Sequence, residues 1–254
     1  AIDRGNTDAM ISYGCMLDNG EGIATNMSEA CRYFKMSADG GNAYGMYNYA
    51  RMLQFGRGID VNKREACKYY KTAANKGHVN SMVMYGKLVE IGDGVEVNKT
   101  EACNYYKMAA ENRNAEGMYL YGKKLENGDG VEKDEFMASR YYKMAAENGN
   151  DLGMYNYGRM LRYGRSLIID KIEAIRYYKM AIDRGNADAM YEYGFMLEDG
   201  EGIAKNMPEA CRYYKMAAEN GNGLGMYNYG RMLQYGRGVE IDKSQAIRYF
   251  KMAI

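Results

Sequence analysis

Tryptophan is absent from this 254-residue chain, proline and histidine occur once each, and phenylalanine only five times. With one histidine and no Cys-x-x-Cys pair, the ligand clusters that hold zinc are excluded. Neither sign of charge is in excess: 34 basic residues face 33 acidic ones, a net charge of +1, which excludes a bulk basic nucleic-acid binder. No run approaches the ~18 to 20 consecutive apolar residues that span a bilayer, and no basic start followed by an apolar run marks a signal peptide. The five cysteines are too few and too far apart for a disulfide framework.

What is plentiful is tyrosine (27), methionine (22) and glycine (31), a skew that points to one short template used repeatedly. Tyr13, Tyr49, Tyr85, Tyr121, Tyr157, Tyr193 and Tyr229 recur at a spacing of 36, with a Tyr-Tyr or Tyr-Phe pair twenty residues after each. The units are therefore 1–36, 37–72, 73–108, 109–144, 145–180, 181–216 and 217–252, with Ala253 and Ile254 left over. Nineteen tyrosines fall in the three columns headed by Tyr13, Tyr33 and Phe34, and eighteen methionines in those headed by Met10, Met16 and Met36.

Each unit carries two helical stripes. In the sixth, Ala189, Met190, Tyr193, Met196 and Leu197 line one face of a helix over 187–199, and Ala210, Tyr213, Tyr214 and Ala217 line a second from Met207. Gly20 and its equivalents sit where a left-handed residue ends the first helix, and Asn26, Asn62, Asn98, Asp134, Asp170, Asn206 and Asp242 sit where the second needs a cap. Three residues on, Glu or Gln completes a capping-box analogue in six units, with Met137 the exception. Pro208 falls in a first helical turn, where no amide hydrogen bond is lost. The second helix ends at Gly5, Gly41, Gly77, Gly149, Gly185 and Gly221; Arg113 stands in that column in unit four and predicts local strain. The Gly14 column interrupts the first helix at about 1 kcal/mol relative to Ala, which predicts a neighbour too close for a side chain. A 36-residue hairpin cannot bury its own apolar face, so the hairpins must stack: the expected fold is an all-α, right-handed α/α superhelix (solenoid) of seven helix-turn-helix repeats, a single array over 1–254.

The pattern Ala-x-x-x-Tyr-Gly-x-Met-Leu-x-x-Gly-x-Gly-Val, then Asn-x-x-Glu-Ala-x-x-Tyr-Tyr-Lys-Met-Ala-Ala-x-x-Gly-Asn, resembles the Sel1-like repeat, a relative of the tetratricopeptide repeat, along the whole chain. The resemblance implies scaffolding of protein complexes, no catalysis by the repeats, and a concave face lined mainly by the first helices. Ser166 at the second loop-glycine column and Phe136-Met137 in unit four depart from it.

Chemistry-bearing groups dissolve into the template. Gly20-Glu21-Gly22 and its copies lack the strand and lysine of a phosphate loop. His78 occupies a column where six units have Asn, so a helix cap is the expectation rather than a catalytic base. Cys31, Cys67, Cys103 and Cys211 share one column, about 10 Å or more apart and beyond the ~7 Å limit for bridging, and Cys15 has no partner. Free thiols point to a reducing compartment, the cytoplasm, against two sequons, Asn26-Met27-Ser28 and Asn98-Lys99-Thr100, at helix-capping sites. No catalytic residue, cofactor or metal is expected.

Variation concentrates at the first-helix columns headed by Asp8, Ile11, Ser12, Cys15, Asp18 and Asn19. Units one and six differ at nine positions, five of them in these six columns. Net charge over the columns swings from +2 in unit five (Arg159, Arg162) to −4 in unit six (Asp188, Glu192, Glu198, Asp199). Arg51, Lys87, Lys123, Arg159 and Arg231 share one column, beside Asn48, Asn156 and Asn228, with Tyr47, Tyr155 and Tyr227 nearby. Such a stripe suits acidic or extended segments of a protein partner. The competing reading is that Arg159 and Arg231 reach Glu192 or Glu198 of a neighbouring helix and the stripe neutralises itself, which is favoured for units five to seven. The candidate binding residues are Tyr47, Asn48, Arg51, Lys87, Lys123, Tyr155, Asn156, Arg159, Arg162, Asn228 and Arg231. The functional alternative is a cytoskeletal or filament-associated array that packs through its outer surface. Neither end has a polar capping helix, so a longer array is expected.

Overall fold

The computed structural model describes residues 5–165 and 168–254. Among them every regular element is an α-helix, and the chain divides into two compact units, Ala1–Lys133 and Asp134–Ile254. The first unit holds α1 (Thr7–Asn19), α2 (Met27–Asp39), α3 (Ala43–Phe55), α4 (Lys63–Asn75), α5 (Val79–Ile91), α6 (Lys99–Glu111) and α7 (Ala115–Asn127). The second holds α8 (Glu135–Glu147), α9 (Asp151–Tyr163), α10 (Lys171–Ile182), α11 (Ala187–Asp199), α12 (Met207–Glu219), α13 (Gly223–Tyr235) and α14 (Lys243–Met252). In each unit consecutive helices pack pairwise, as a repeat array requires. Ser166 and residues 1–4, on which two sequence readings fall, lie outside the described residues.

The punctuation explains the helix ends. Asn6 caps α1 by accepting from the amides of Asp8 and Ala9, and Gly20 ends it at φ 75°. The second cap works differently from the expected box. The Asn26 amide donates to the Leu17 carbonyl at 2.9 Å, closing the hairpin, so no backbone donor is left for Glu29. Glu29 instead donates its own amide to Asn26 Oδ1 and accepts from the Asn26 side-chain amide. Asn62, Asn98, Asp170, Asn206 and Asp242 close their hairpins in the same way, onto Leu53, Val89, Leu161, Leu197 and Leu233. At Met137 only the backbone half survives, donating to Asp134. Arg113 is the single non-glycine residue with positive φ among the described residues, at 62°, the strain its column predicts.

The columns of Met10, Tyr13 and Phe34 are largely interior, but that of Met36 is not: Met36, Met144 and Met252 are exposed and no member of the column is buried, because it lies at the rim of the second helix rather than on its packed face. Tyr70, Tyr106, Tyr178 and Tyr214 are fully buried, and the Tyr13 and Tyr33 columns pair edge to face in repeats one, two, three, five, six and seven, as in Tyr85 on Tyr105 with centroids 4.7 Å apart. The glycines of the Gly14 column meet these rings: a Cβ at Gly86 would lie 2.6 Å from Tyr106, and one at Gly14 would lie 2.7 Å from Phe34. Cys31, Cys67, Cys103 and Cys211 are free and buried, and Cys15 is free and half-buried. Cys67 and Cys103 donate to the loop carbonyls of Asp93 and Asp129, and burial pushes the Cys67 thiol up to about 11.

Candidate functional site

In the first unit the candidate residues spread over α3, α5 and α7. Tyr47 is half-buried, packed against Tyr70 and His78, and the Arg51 guanidinium lies 5.9 Å from its ring centre. Asn48 is half-buried beside them. Lys87 pairs with Glu116 of the next repeat, so one rung of the basic column is neutralised, whereas Lys123 is exposed. One position further, Lys124 replaces a template methionine and is only 5% exposed. It reaches Glu90 at 2.5 Å and also Asp129, and Glu90 accepts the Tyr106 hydroxyl. Burial alone would lower the Lys124 pKa, but the hydrogen bonds it donates to Asp129 and Glu90 outweigh it and the net shift is upward.

His78 caps α5: its Nδ1 accepts from the Ser81 amide at 3.2 Å, and its ring lies 4.6 Å from both Tyr44 and Tyr47. Burial holds this imidazole below its ordinary range. The folded state therefore resists a proton that the unfolded chain takes up below about pH 6.5. The stability contributed by neutral His78 is present above that pH and is lost as the pH falls. His78→Asn, which restores the residue of the six other repeats, is expected to flatten the acid-side loss in urea titrations between about pH 7.5 and 5. An unchanged slope would place the acid sensitivity elsewhere.

In the second unit the candidates lie on α9 and α13. Tyr155 is half-buried against Tyr178, and Arg159 is half-buried on the same helix. Asn156 and Asn228 spend their side-chain amides on the carbonyls of Leu152 and Leu224 in their own helices, and Arg231 donates to Asn228 and lies over Tyr227. Arg162 departs most from its sequence reading as a surface contact. It is 3% exposed, held between the rings of Tyr163 and Phe195, and bonded to Glu192 and, through two nitrogens, to Glu201. Glu192 forms an ion pair with Arg162 and lies in the field of Arg159, while Glu198 takes the Tyr214 hydroxyl and faces Arg237. Burial outweighs that pairing at Glu192, whose pKa is raised.

The arrangement has a readable origin. In the Asp18 column, Gln54, Glu90 and Glu198 accept the hydroxyls of Tyr70, Tyr106 and Tyr214. Arginine at that position turns to the glutamates instead, and the buried Tyr178 hydroxyl has no hydrogen-bond partner among the described residues. The missed signal was complementary departure in adjacent repeats: Arg162 in an acceptor column next to Glu192 in a column otherwise uncharged, and Lys124 in the methionine column next to Glu90.

No group of three metal-ligating side chains and no helix long and apolar enough to cross a membrane occurs among the described residues. In each unit the candidate residues lie on first helices.

The Sel1 repeat matches this sequence over residues 7–42, 43–78, 79–114, 115–150, 151–186, 187–222 and 223–254. No curated protein matches it. Among solved structures, c5321, a protective antigen of uropathogenic Escherichia coli strains with an SLR fold, superposes with TM-score 0.88 at 28% identity over 99% of this chain. The chain spans 54% of that protein. A Sel1 repeat protein from Oxalobacter formigenes superposes with TM-score 0.88 at 24% identity, over 96% of both chains. The immunity protein Pa5087 from Pseudomonas aeruginosa shares the fold more distantly, with TM-score 0.53, 21% identity, and 83% and 80% of the two chains covered. With seven consecutive matches laid over capped helical hairpins, the chain belongs to the Sel1 repeat family.

Proposed function

We propose that the chain is a non-catalytic protein-interaction scaffold, acting in the reducing environment of the cytoplasm, whose first-helix face receives acidic or extended segments of partner proteins. One observation supports the reading: the buried charges Lys124 and Arg162 are neutralised internally, while Arg51, beside the Tyr47 ring, and Lys123 have no ion pair among the described residues on the first helices of the first unit. Cations left unpaired beside an aromatic surface suit carboxylates through charge-assisted hydrogen bonds. Membership of a repeat family without a catalytic constellation among the described residues supports a binding role over turnover.

The test is affinity capture with quantitative mass spectrometry on the intact chain and on Arg51→Glu/Lys123→Glu. Each reversed charge is expected to lower recovery of a specific partner about tenfold, with recovery falling as salt rises. Arg212→Glu, on the second helix of its repeat, is expected to leave recovery unchanged. The opposite pattern would favour packing through the outer surface.

A further inference from the structure

A second surface lies at the loop ends of repeats two and three. The residue that closes the first helix and the residue just before the second cap vary together across the chain. In repeats one, four and six both are polar, and in repeats two, three, five and seven both are apolar. In repeats two and three the pairs are Phe55 with Val61 and Ile91 with Val97. Each valine sits over the cap glycine: its Cγ2 lies 2.8 Å from the Cβ position of Gly56 in one repeat and 2.7 Å from that of Gly92 in the other. Core packing does not account for this covariation, because the four side chains are 58, 56, 70 and 58% exposed. Two neighbouring repeats therefore display one apolar edge, the kind of exposed patch that marks an interaction site.

The helix beside that edge is unusual in charge. Residues 63–76 hold five basic residues and one acidic, whereas the same stretch balances in repeats one, three, four and six. Lys63 and Lys71 are paired, with Asp93 and Glu101. Arg64 and Lys68, one helical turn apart, have no side-chain partner among the described residues. A groove of about 490 Å³ between α4 and the loop after α5 is lined by both cations and by Val97, so it joins the apolar edge to the unpaired charge. Glu96 is the acidic side chain of that groove without a partner among the described residues.

We propose that this edge and groove form a second docking surface, distinct from the first-helix face, for a protein segment that combines aliphatic or aromatic residues with Asp or Glu. The apolar plates bury the apolar residues, and Arg64 and Lys68 take the carboxylates, Arg64 in the planar two-nitrogen geometry that suits them.

Random twelve-residue peptides displayed on phage, selected against the intact chain, provide the probe, and the recovered consensus is then synthesised with a fluorescent label for anisotropy. The expected consensus pairs Leu, Ile or Phe with Asp or Glu. Val97→Asp and Arg64→Glu/Lys68→Glu should each weaken its binding at least about tenfold, Glu96→Gln should tighten it, and Arg51→Glu on the other face should leave it unchanged. Arg64, Lys68, Glu96 and Val97 are exposed and Arg51 is half-buried, and unaltered circular dichroism melts establish that the variants fold. The proposal is overturned if no peptide is recovered, if the consensus lacks acidic residues, or if binding ignores these variants. It is also overturned if Arg64 and Lys68 instead support binding to phosphatidylserine vesicles or duplex DNA. Loss on Arg51→Glu alone would assign the peptide to the first-helix face and remove only this second surface.

Discussion

Replacing Arg162 with alanine is expected to destabilise the second unit by roughly 3–5 kcal/mol, because it leaves carboxylates behind in a buried site. Glu192 loses the Arg162 ion pair, Glu201 loses Arg162 while keeping Lys171, and Tyr163 and Phe195 lose the cation over their rings. Hydrogen exchange on the full chain reads the effect directly, with protection lost first in α9 and α11. Restoring the residues of repeat two separates the role of the charge from that of the volume. Arg162→Gln/Glu192→Asn supplies Tyr178 with the acceptor that Gln54 gives Tyr70, and is expected to come within about 1 kcal/mol of the parent. If the single substitution is as benign as the double, the buried network has no stabilising role.

Gly94→Ala is expected to cost about 2–5 kcal/mol in the first unit, the sum of left-handed backbone strain and overpacking. Gly94 has φ 83°, and its Cβ would lie 2.5 Å from the carbonyl carbon of Lys63, in the first turn of the preceding repeat's second helix. Gly77→Ala is the control, since its φ is 90° but nothing lies within 4 Å of the added carbon. That variant should show only the backbone part, about 1–2 kcal/mol. Urea titration of both variants isolates the contact by which one hairpin rests on the next, and equal losses would mean that the loop does not bear on its neighbour.

Much of this fold was legible in the residues because a repeat compares a sequence with itself. The columns of Tyr13, Met10 and Gly14 could only be interior, and the strain at Arg113 and the cap at His78 followed from single departures within otherwise uniform columns. The cap chemistry was less legible: Asn26 pointed to a box, but the destination of its amide, the Leu17 carbonyl, depends on how the hairpin closes. Arg162 was read as surface because its column varies. Variation meant exposure at Phe55 and Ile91, but at Arg162 and Lys124 it meant a buried charge exchanged together with its partner in another repeat. Charge alone does not separate the two cases. They differ in whether a complementary residue stands in a packed neighbouring column.

Hydroxyl-radical footprinting of the native chain, read residue by residue, tests most directly whether the repeated columns other than that of Met36 form the interior and the variable ones meet other molecules. Tyr70, Tyr106, Tyr214, Met52 and Met160 should be strongly protected, while Tyr44, Phe55, Tyr227 and Tyr235 are modified at rates near those of the unfolded chain. Equal reactivity in the two sets, or protection of the variable residues with labelling of the repeated ones, would contradict the account.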